Sequence, residues 1–308
     1  MLGTAKATNR KDRRNRHPIS TALAVLVALL LAACSANDLE HVAMHDKKPE
    51  TSATPFAETL GSTVMFGAFT YGGVWSGMEP VLELETSLGR RLDIVHWFTS
   101  WDTPYYPELV AAASQGGRLP LISWQPVNQK VADIAAGLHD DYIRAWAQGA
   151  ASSTGPVYVR PFPEMNGSWT PWNGDTPTFR AAWRRMVGIF DAEGATNVRW
   201  EFSPNVTDEP RIDANRMEHY YPGHEYVDVL ALDGYNWGEA NVHYPVWQSF
   251  REVFERGYER IVAMGEQPVW IAELASSDEG GDKASWVTDM FNTTGFDRIE
   301  ALVWFDED

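Results

Sequence analysis

The chain has 308 residues, a formal net charge of −17 and a single cysteine, Cys34. So acidic a surface argues against nucleic acid or anionic lipid as the substrate, and one cysteine excludes an intrachain disulfide. The 14 tryptophans are more than a core of this size requires, so some are expected to line a groove.

The N-terminus carries the first signal. Lys6, Arg10, Lys11, Arg13, Arg14 and Arg16 precede an apolar run from Ile19 to Leu31, interrupted only by Ser20 and Thr21. The run is too short to span a bilayer comfortably and ends in small residues, as an export signal does. It closes on Leu31-Ala32-Ala33-Cys34, which resembles a bacterial lipobox. That resemblance implies removal of residues 1–33, lipidation of Cys34, and an exported domain that meets the membrane only through its anchor. Residues 34–60 are polar and unpatterned and read as a flexible tether. Residues 34–308 carry 19 basic and 41 acidic residues, a formal charge of −22, which suits a neutral polysaccharide as substrate.

Residues 61–308 repeat one pattern. Apolar runs occur at Val64–Thr70, Leu92–Trp101, Leu119–Pro126, Pro156–Asn166, Val198–Asn205, Val227–Trp237, Pro268–Ser276 and Ala301–Phe305. Their starts lie 27 to 42 residues apart, about the length of a strand, a loop and a helix. Between them run helical patterns: one covers Val131 to Ala151, another opens at Thr176-Pro177 and buries Phe179, Trp183, Met186, Val187 and Phe190, and a third carries Trp247, Phe250, Phe254, Tyr258 and Ile261. Strands alternating with helices predict a (β/α)8 TIM barrel. An open doubly wound sheet competes, but no Gly-x-Gly-x-x-Gly turn follows the first strand. After the last strand only Asp306-Glu307-Asp308 remain, too few for a final C-terminal helix, so an apolar strip is expected to be exposed there.

Two strands end in glutamate: Glu164 in Arg160-Pro161-Phe162-Pro163-Glu164, and Glu273 in Trp270-Ile271-Ala272-Glu273. A carboxylate at the tip of a core strand is an unusual place for a charge. Two of them at the top rim of a barrel suggest the acid pair that cleaves glycosidic bonds. A period of two puts Arg160, Phe162 and Glu164 on one face, Val269, Ile271 and Glu273 on another, and Asp233 with Tyr235 on a third.

The segments Arg-Pro-Phe-x-Glu-Met-Asn-Gly-x-Trp at 160–169, Asp-Gly-Tyr-Asn-Trp at 233–237 and Ala-Glu at 272–273 resemble glycoside hydrolase family 26. The resemblance extends to Ile122–Pro126 and Val303–Phe305. It implies a clan A barrel and a retaining endo-β-glycosidase, most often a β-1,4-mannanase and otherwise a β-1,3-1,4-glucanase or β-1,3-xylanase. It further implies Glu164 as acid/base, Glu273 as nucleophile and Tyr235 as a hydrogen-bond donor to Glu273. An aromatic on the last strand of such barrels commonly underlies the −1 sugar, which points to Trp304, while Trp169 and Trp172 would meet the aglycone. Trp124 is a further candidate for the groove, alongside Trp97, Trp101 and Trp237, and each of these serves equally well as packing between strand and helix.

One position departs from the family: Pro163 stands where the mannanases usually carry histidine, and a proline offers no hydrogen-bond donor. His96 either contacts the sugar or is a satisfied structural residue. Asp233 is either a ligand or a loop anchor, and Arg160 either balances the catalytic charge or forms a core ion pair. The acidic turn Asp278–Asp282 lacks the spacing of a calcium loop, and no metal or cofactor is expected. A monomer acting on a neutral β-glycan is the expectation; a surface glycan-binding lipoprotein that has lost turnover is the alternative of a different class.

Overall fold

The computed structural model describes Leu60 and residues 64–306. The export signal and Cys34 lie outside the described residues, as does the tether apart from Leu60. Parallel strands close into one barrel in strict chain order: β1 (Met65–Thr70), β2 (Ile94–Ser100), β3 (Leu119–Gln125), β4 (Val157–Pro161), β5 (Val198–Phe202), β6 (Val229–Asn236), β7 (Val269–Ser276) and β8 (Ile299–Asp306). The chain is a TIM barrel. Its helices are α1 (Glu79–Leu88), α2 (Pro107–Ala113), α3 (Val131–Ala135), α4 (Asp140–Ala151), α5 (Thr176–Ala192), α6 (Met217–Tyr220), α7 (Phe250–Val262) and α8 (Lys283–Asn292).

Local chemistry starts these helices where the sequence suggests. At α5 the Asp175 carboxylate accepts from the Thr178 N–H at 3.1 Å, and a proline follows within the first turn. At α7 Ser249 and Glu252 form a reciprocal capping box. The single helix expected over 131–151 is two, because Gly137 takes a left-handed φ of 87° between α3 and α4.

Two apolar layers result. Inside the barrel lie Ile94, Leu121, Val229, Ala231, Trp270, Ala272, Ala301 and Val303. Between barrel and helices lies the larger layer, in which Trp124 stacks on Trp101 at 4.6 Å and on Trp146 at 4.5 Å. The expected apolar strip beside β8 is not exposed. Phe66, Ala68, Leu302 and Trp304 are all buried: Phe291 and Trp286 of α8 lie 6.3 Å from Phe66 and 6.4 Å from Trp304.

Strand alternation fails at two places, and both matter for the site. β4 ends at Pro161 rather than running on to Asn166. Phe162 and Glu164 then take φ of 51° and 54°, which swings Phe162 outward against Trp101, Phe179 and Trp183, so it does not share a face with Arg160. On β7, Ile271 and Val269 face the helices while Trp270 and Ala272 face inward. A register shift against β6, where Leu232 pairs with Ile271 but Asp233 with Glu273, inserts one extra residue and returns Glu273 to the interior.

Candidate active site

Above the inner apolar layer sits a layer of charge. Arg160, inward on β4 and fully buried, donates from Nη1 to Glu273 Oε1 at 2.6 Å and from Nη2 to Asp233 Oδ2 at 2.7 Å. Its Nε faces Glu201 of β5 at 3.8 Å with no hydrogen bond. Ser203 supplies a hydroxyl to the other Asp233 oxygen at 2.7 Å. One guanidinium thus meets three carboxyl groups in a dry interior, where each uncompensated anion is costly. The groups respond accordingly. Burial pushes Glu201 up from its ordinary 4.5 to about 8, against the opposing pull of Arg160, so it is protonated at neutral pH. Burial also raises Asp233 well above the carboxylate range, again opposed by Arg160. Burial by itself would depress Arg160, but Asp233 and Glu273 hold it above its ordinary value.

Glu273 receives a donor on each oxygen, Arg160 on Oε1 and the Tyr235 hydroxyl on Oε2. Tyr235 remains a neutral donor, since burial and the Glu273 charge raise its pKa. Glu164 is held differently. Its N–H donates to the Ser203 carbonyl at 2.8 Å, Asn205 Nδ2 donates to Oε1 at 2.7 Å, and Trp169 Nε1 donates to Oε2 at 2.7 Å. Burial and the nearby Glu273 charge raise its pKa above the ordinary carboxyl value despite those two donors. The two carboxyl groups are therefore held unlike: Glu273 accepts from a cation and a phenol, while Glu164 is biased towards its protonated form.

The left-handed backbone at Phe162 and Glu164 is fixed from several sides. Trp172 Nε1 donates to the Pro163 carbonyl at 2.8 Å, Asn166 bonds to Asn205 and Asp208, and Asn215 Nδ2 donates to the Asn166 carbonyl at 2.8 Å. Gly167 has a plain reason: a Cβ there would lie 2.3 Å from the Trp169 ring, so only glycine lets Trp169 fold back onto Glu164.

Beside Glu273 and Tyr235 lies an aromatic box. Phe69 of β1 stacks on Phe305 of β8 at 4.7 Å, Phe98 of β2 meets Phe69 edge-on at 5.2 Å, and Tyr235 meets Phe305 at 6.0 Å.

The predicted residues therefore divide. Glu164, Glu273, Tyr235 and the exposed Trp169 come together at the rim. Trp304 does not join them: it points outward to Trp286 of α8, beneath Lys283, and alternation gives the inward place to its neighbour Phe305. Trp124 is buried in the strand–helix layer, its indole N–H on the Tyr142 hydroxyl at 3.2 Å. Trp172 is buried as a strut under the acid's loop rather than presented to sugar. His96 is sealed below Phe69 and Phe98, 2.7 Å from the Ser123 hydroxyl, and burial with the nearby Arg160 keeps it neutral. Asp233 is an anchor within the charge layer, without access to a ligand. Sequence reading missed Asn205, Glu201 and the phenylalanine box; a polar residue closing the fifth apolar run was the available sign of Asn205.

The sequence profile of Glycosyl hydrolase family 26 matches residues 126–294, more than half of the chain. The chain belongs to this family. It is 37% identical to Endoglucanase H of Acetivibrio thermocellus over 250 residues, which cover 76% of this chain and 27% of that protein. Over 90 residues it is 34% identical to Mannan endo-1,4-beta-mannosidase A and B of Caldalkalibacillus mannanilyticus, covering 26% of this chain and 16% of that one. The chain thus spans little more than a quarter of these curated relatives at most. Among solved structures, the endo-β-1,4-mannanase of Cellulomonas fimi superposes with a TM-score of 0.59 at 17% identity, covering 79% of this chain and 65% of that one. The catalytic domain of the Bacillus sp. JAMB-750 endo-β-1,4-mannanase gives 0.59 at 19%, covering 93% and 81%. At that identity the likeness establishes the barrel and no more. Family membership and the barrel fold of this chain are settled.

Glu201 offers a direct test of the charge layer. The folded state keeps a proton on Glu201 up to about pH 8, whereas the unfolded chain releases it near 4.5. Between those values the folded form binds the extra proton, so stability present below pH 4.5 is lost progressively as pH rises, and levels off above 8. Glu201→Gln carries no such proton. Its melting temperature relative to wild type should rise from pH 5 to pH 8; a constant difference across that range would show that Glu201 does not titrate as described.

Proposed function

We propose that this chain is a retaining endo-β-glycanase with Glu164 as acid/base and Glu273 as nucleophile. The observation that carries the reading is the unlike support of the two rim glutamates: Arg160 and Tyr235 on Glu273, burial and a neighbouring negative charge on Glu164. In the first step a Glu273 oxygen forms a bond to the anomeric carbon as the glycosidic C–O bond breaks. The departing oxygen keeps the electron pair and takes the Glu164 proton. In the second, Glu164 removes a proton from water, the resulting oxygen attacks the same carbon, and Glu273 leaves as a carboxylate. Phe305, with Phe69 and Phe98, supplies the apolar wall for the sugar face at the cleaved ring, and Trp169 meets the aglycone.

β-1,4-Mannan is the first substrate, on the strength of the relatives named mannan endo-1,4-beta-mannosidase. A β-glucan is the second reading, favoured by a specific observation: the relative that aligns over most of this chain is named an endoglucanase. Pro163 is buried and its carbonyl is taken by Trp172, so this position offers the sugar no polar group. We also propose export and anchoring through a lipid on Cys34, supported by the basic and apolar N-terminal run and its closing Leu-Ala-Ala-Cys.

Glu164→Ala and Glu273→Ala should each abolish most polysaccharide hydrolysis. On aryl glycosides with good leaving groups Glu164→Ala should still form the covalent intermediate, and azide should restore turnover with a β-glycosyl azide as product. Azide rescue of that kind in Glu273→Ala alone would reverse the two roles. Pro163→His should raise the ratio of mannan to β-glucan activity, since one added hydrogen bond is worth about 0.5–1.5 kcal/mol; a lowered or unchanged ratio would place recognition of the 2-hydroxyl elsewhere. Cys34→Ala should move the protein from the membrane fraction to the soluble exported fraction, and retention in the membrane would discard the anchor.

A further inference from the structure

Outside the catalytic rim, the largest exposed aromatic surface on the loops after β1 and β2 is made by Tyr71, Trp75 and Tyr106. Tyr71 is 78% exposed and Trp75 48%. These rings are not loose. Trp75 sits in a single 3-10 turn, Gly73–Ser76, bracketed by Gly72 and Gly77 at φ of 80° and 73°, backbone that side-chain-bearing residues rarely adopt. Its only polar atom, the indole N–H, is taken by the Phe98 carbonyl at 3.2 Å. Tyr106 meets its edge at right angles, with ring centres 5.9 Å apart. A half-exposed indole with its N–H already satisfied offers incoming ligand a flat apolar face and nothing else, and that face is held in place before any ligand arrives.

Its position gives it an occupant. Phe98, whose carbonyl fixes Trp75, turns its own ring into the aromatic box with Phe69 and Phe305 beside Glu273. Phe98 thus serves both, its carbonyl fixing Trp75 and its ring lining the box. The acid's supports, Trp169 and Asn205, come from the loops after β4 and β5, and the sugar that departs with the Glu164 proton lies on that side. The platform lies on the loops after β1 and β2, the strands that supply Phe69 and Phe98 to the wall.

We propose that Tyr71, Trp75 and Tyr106 bind pyranose rings of a neutral β-glycan chain beyond the cleaved sugar on its glycone side. The inference rests on the β-glycanase reading and adds to it a subsite that fixes how much retained chain the enzyme grips. Sugar rings present C–H faces to aromatic planes, and the formal charge of −22 for residues 34–308 disfavours acidic glycans over this surface.

The test uses calorimetric titration of β-1,4-linked manno- and gluco-oligosaccharides, from disaccharide to hexasaccharide, into Glu273→Ala protein with and without Trp75→Ala. Loss of one stacked ring should weaken binding about threefold to tenfold for the longer oligosaccharides and leave the shortest unaffected. Trp75→Phe should recover most of the loss, which a folding defect would not permit. An equal effect at every length, or none at any length, overturns the platform. If wild-type protein cleaves no β-glycan yet the length-dependent loss appears, the catalytic reading fails and the platform stands. If cleavage occurs without length dependence, the platform alone falls. Absence of binding by every oligosaccharide overturns both.

Discussion

The guanidinium of Arg160 is the constraint on which the rest of the barrel interior depends. Sealed from solvent, it must be paired, and its two terminal nitrogens each take a carboxylate, from β6 and β7. That requirement ties three strands together at the level where a barrel ordinarily turns from apolar filling to catalytic rim. It also sets the proton inventory. With Asp233 and Glu273 hydrogen-bonded to the cation, Glu201 stands beside it without a hydrogen bond, and burial outweighs the pull of Arg160, so Glu201 retains its proton. Glu273 is thereby braced from below by a group that cannot lose its charge, while Glu164, just past β4, receives no direct contact from it.

Pairing of this kind does not make the protein more stable than an apolar core of the same volume would. Its value lies in geometry: a planar fork with two anchored partners has one orientation, and Glu273 inherits it. The bulge on β7 belongs to the same logic. An uninterrupted strand would send Glu273 to the helix side with Ile271, and one inserted residue brings Ala272 and Glu273 both inward. Aromatic walls complete the arrangement. Phe69, Phe98 and Phe305 come from neighbouring strands and leave the carboxylates as the main polar groups presented to a sugar.

Much of this was legible in the sequence. Eight apolar runs at strand–helix spacing gave the barrel, because buried parallel strands must be continuously apolar and the periodicity of the helices between them is strong. The two acids stood out because charge at the end of such a run has few structural excuses. What was hidden was orientation. Trp304 and Phe305 are adjacent, and nothing in a linear chain says which one faces inward; the strand's register against its neighbours decides it. Period-two reasoning placed Phe162 with Arg160 and Ile271 with Glu273, and failed where a left-handed turn and a bulge interrupt the pleat. His96, Asp233 and Trp124 were recognisable as polar or aromatic residues near the rim, but depth within a barrel is set by strand stagger. Asn205 and Glu201 were invisible for a related reason: their importance comes from what stands opposite them on other strands.

Glu164, just past the end of β4, is held largely by the segment that follows β5. Its N–H rests on the Ser203 carbonyl, its carboxyl on Asn205, and the following Asn166 is bonded to the Asn205 backbone. The stretch beyond Gly167 adds ties of its own, from Thr170 and Trp169 to Glu164, Trp172 to Pro163 and Asn173 to Met165, but none of them replaces the joint with residues 203–205. Glu164 therefore does not travel with its own loop as a portable motif. A loop graft that moves residues 160–175 alone would carry the acid's sequence without its address.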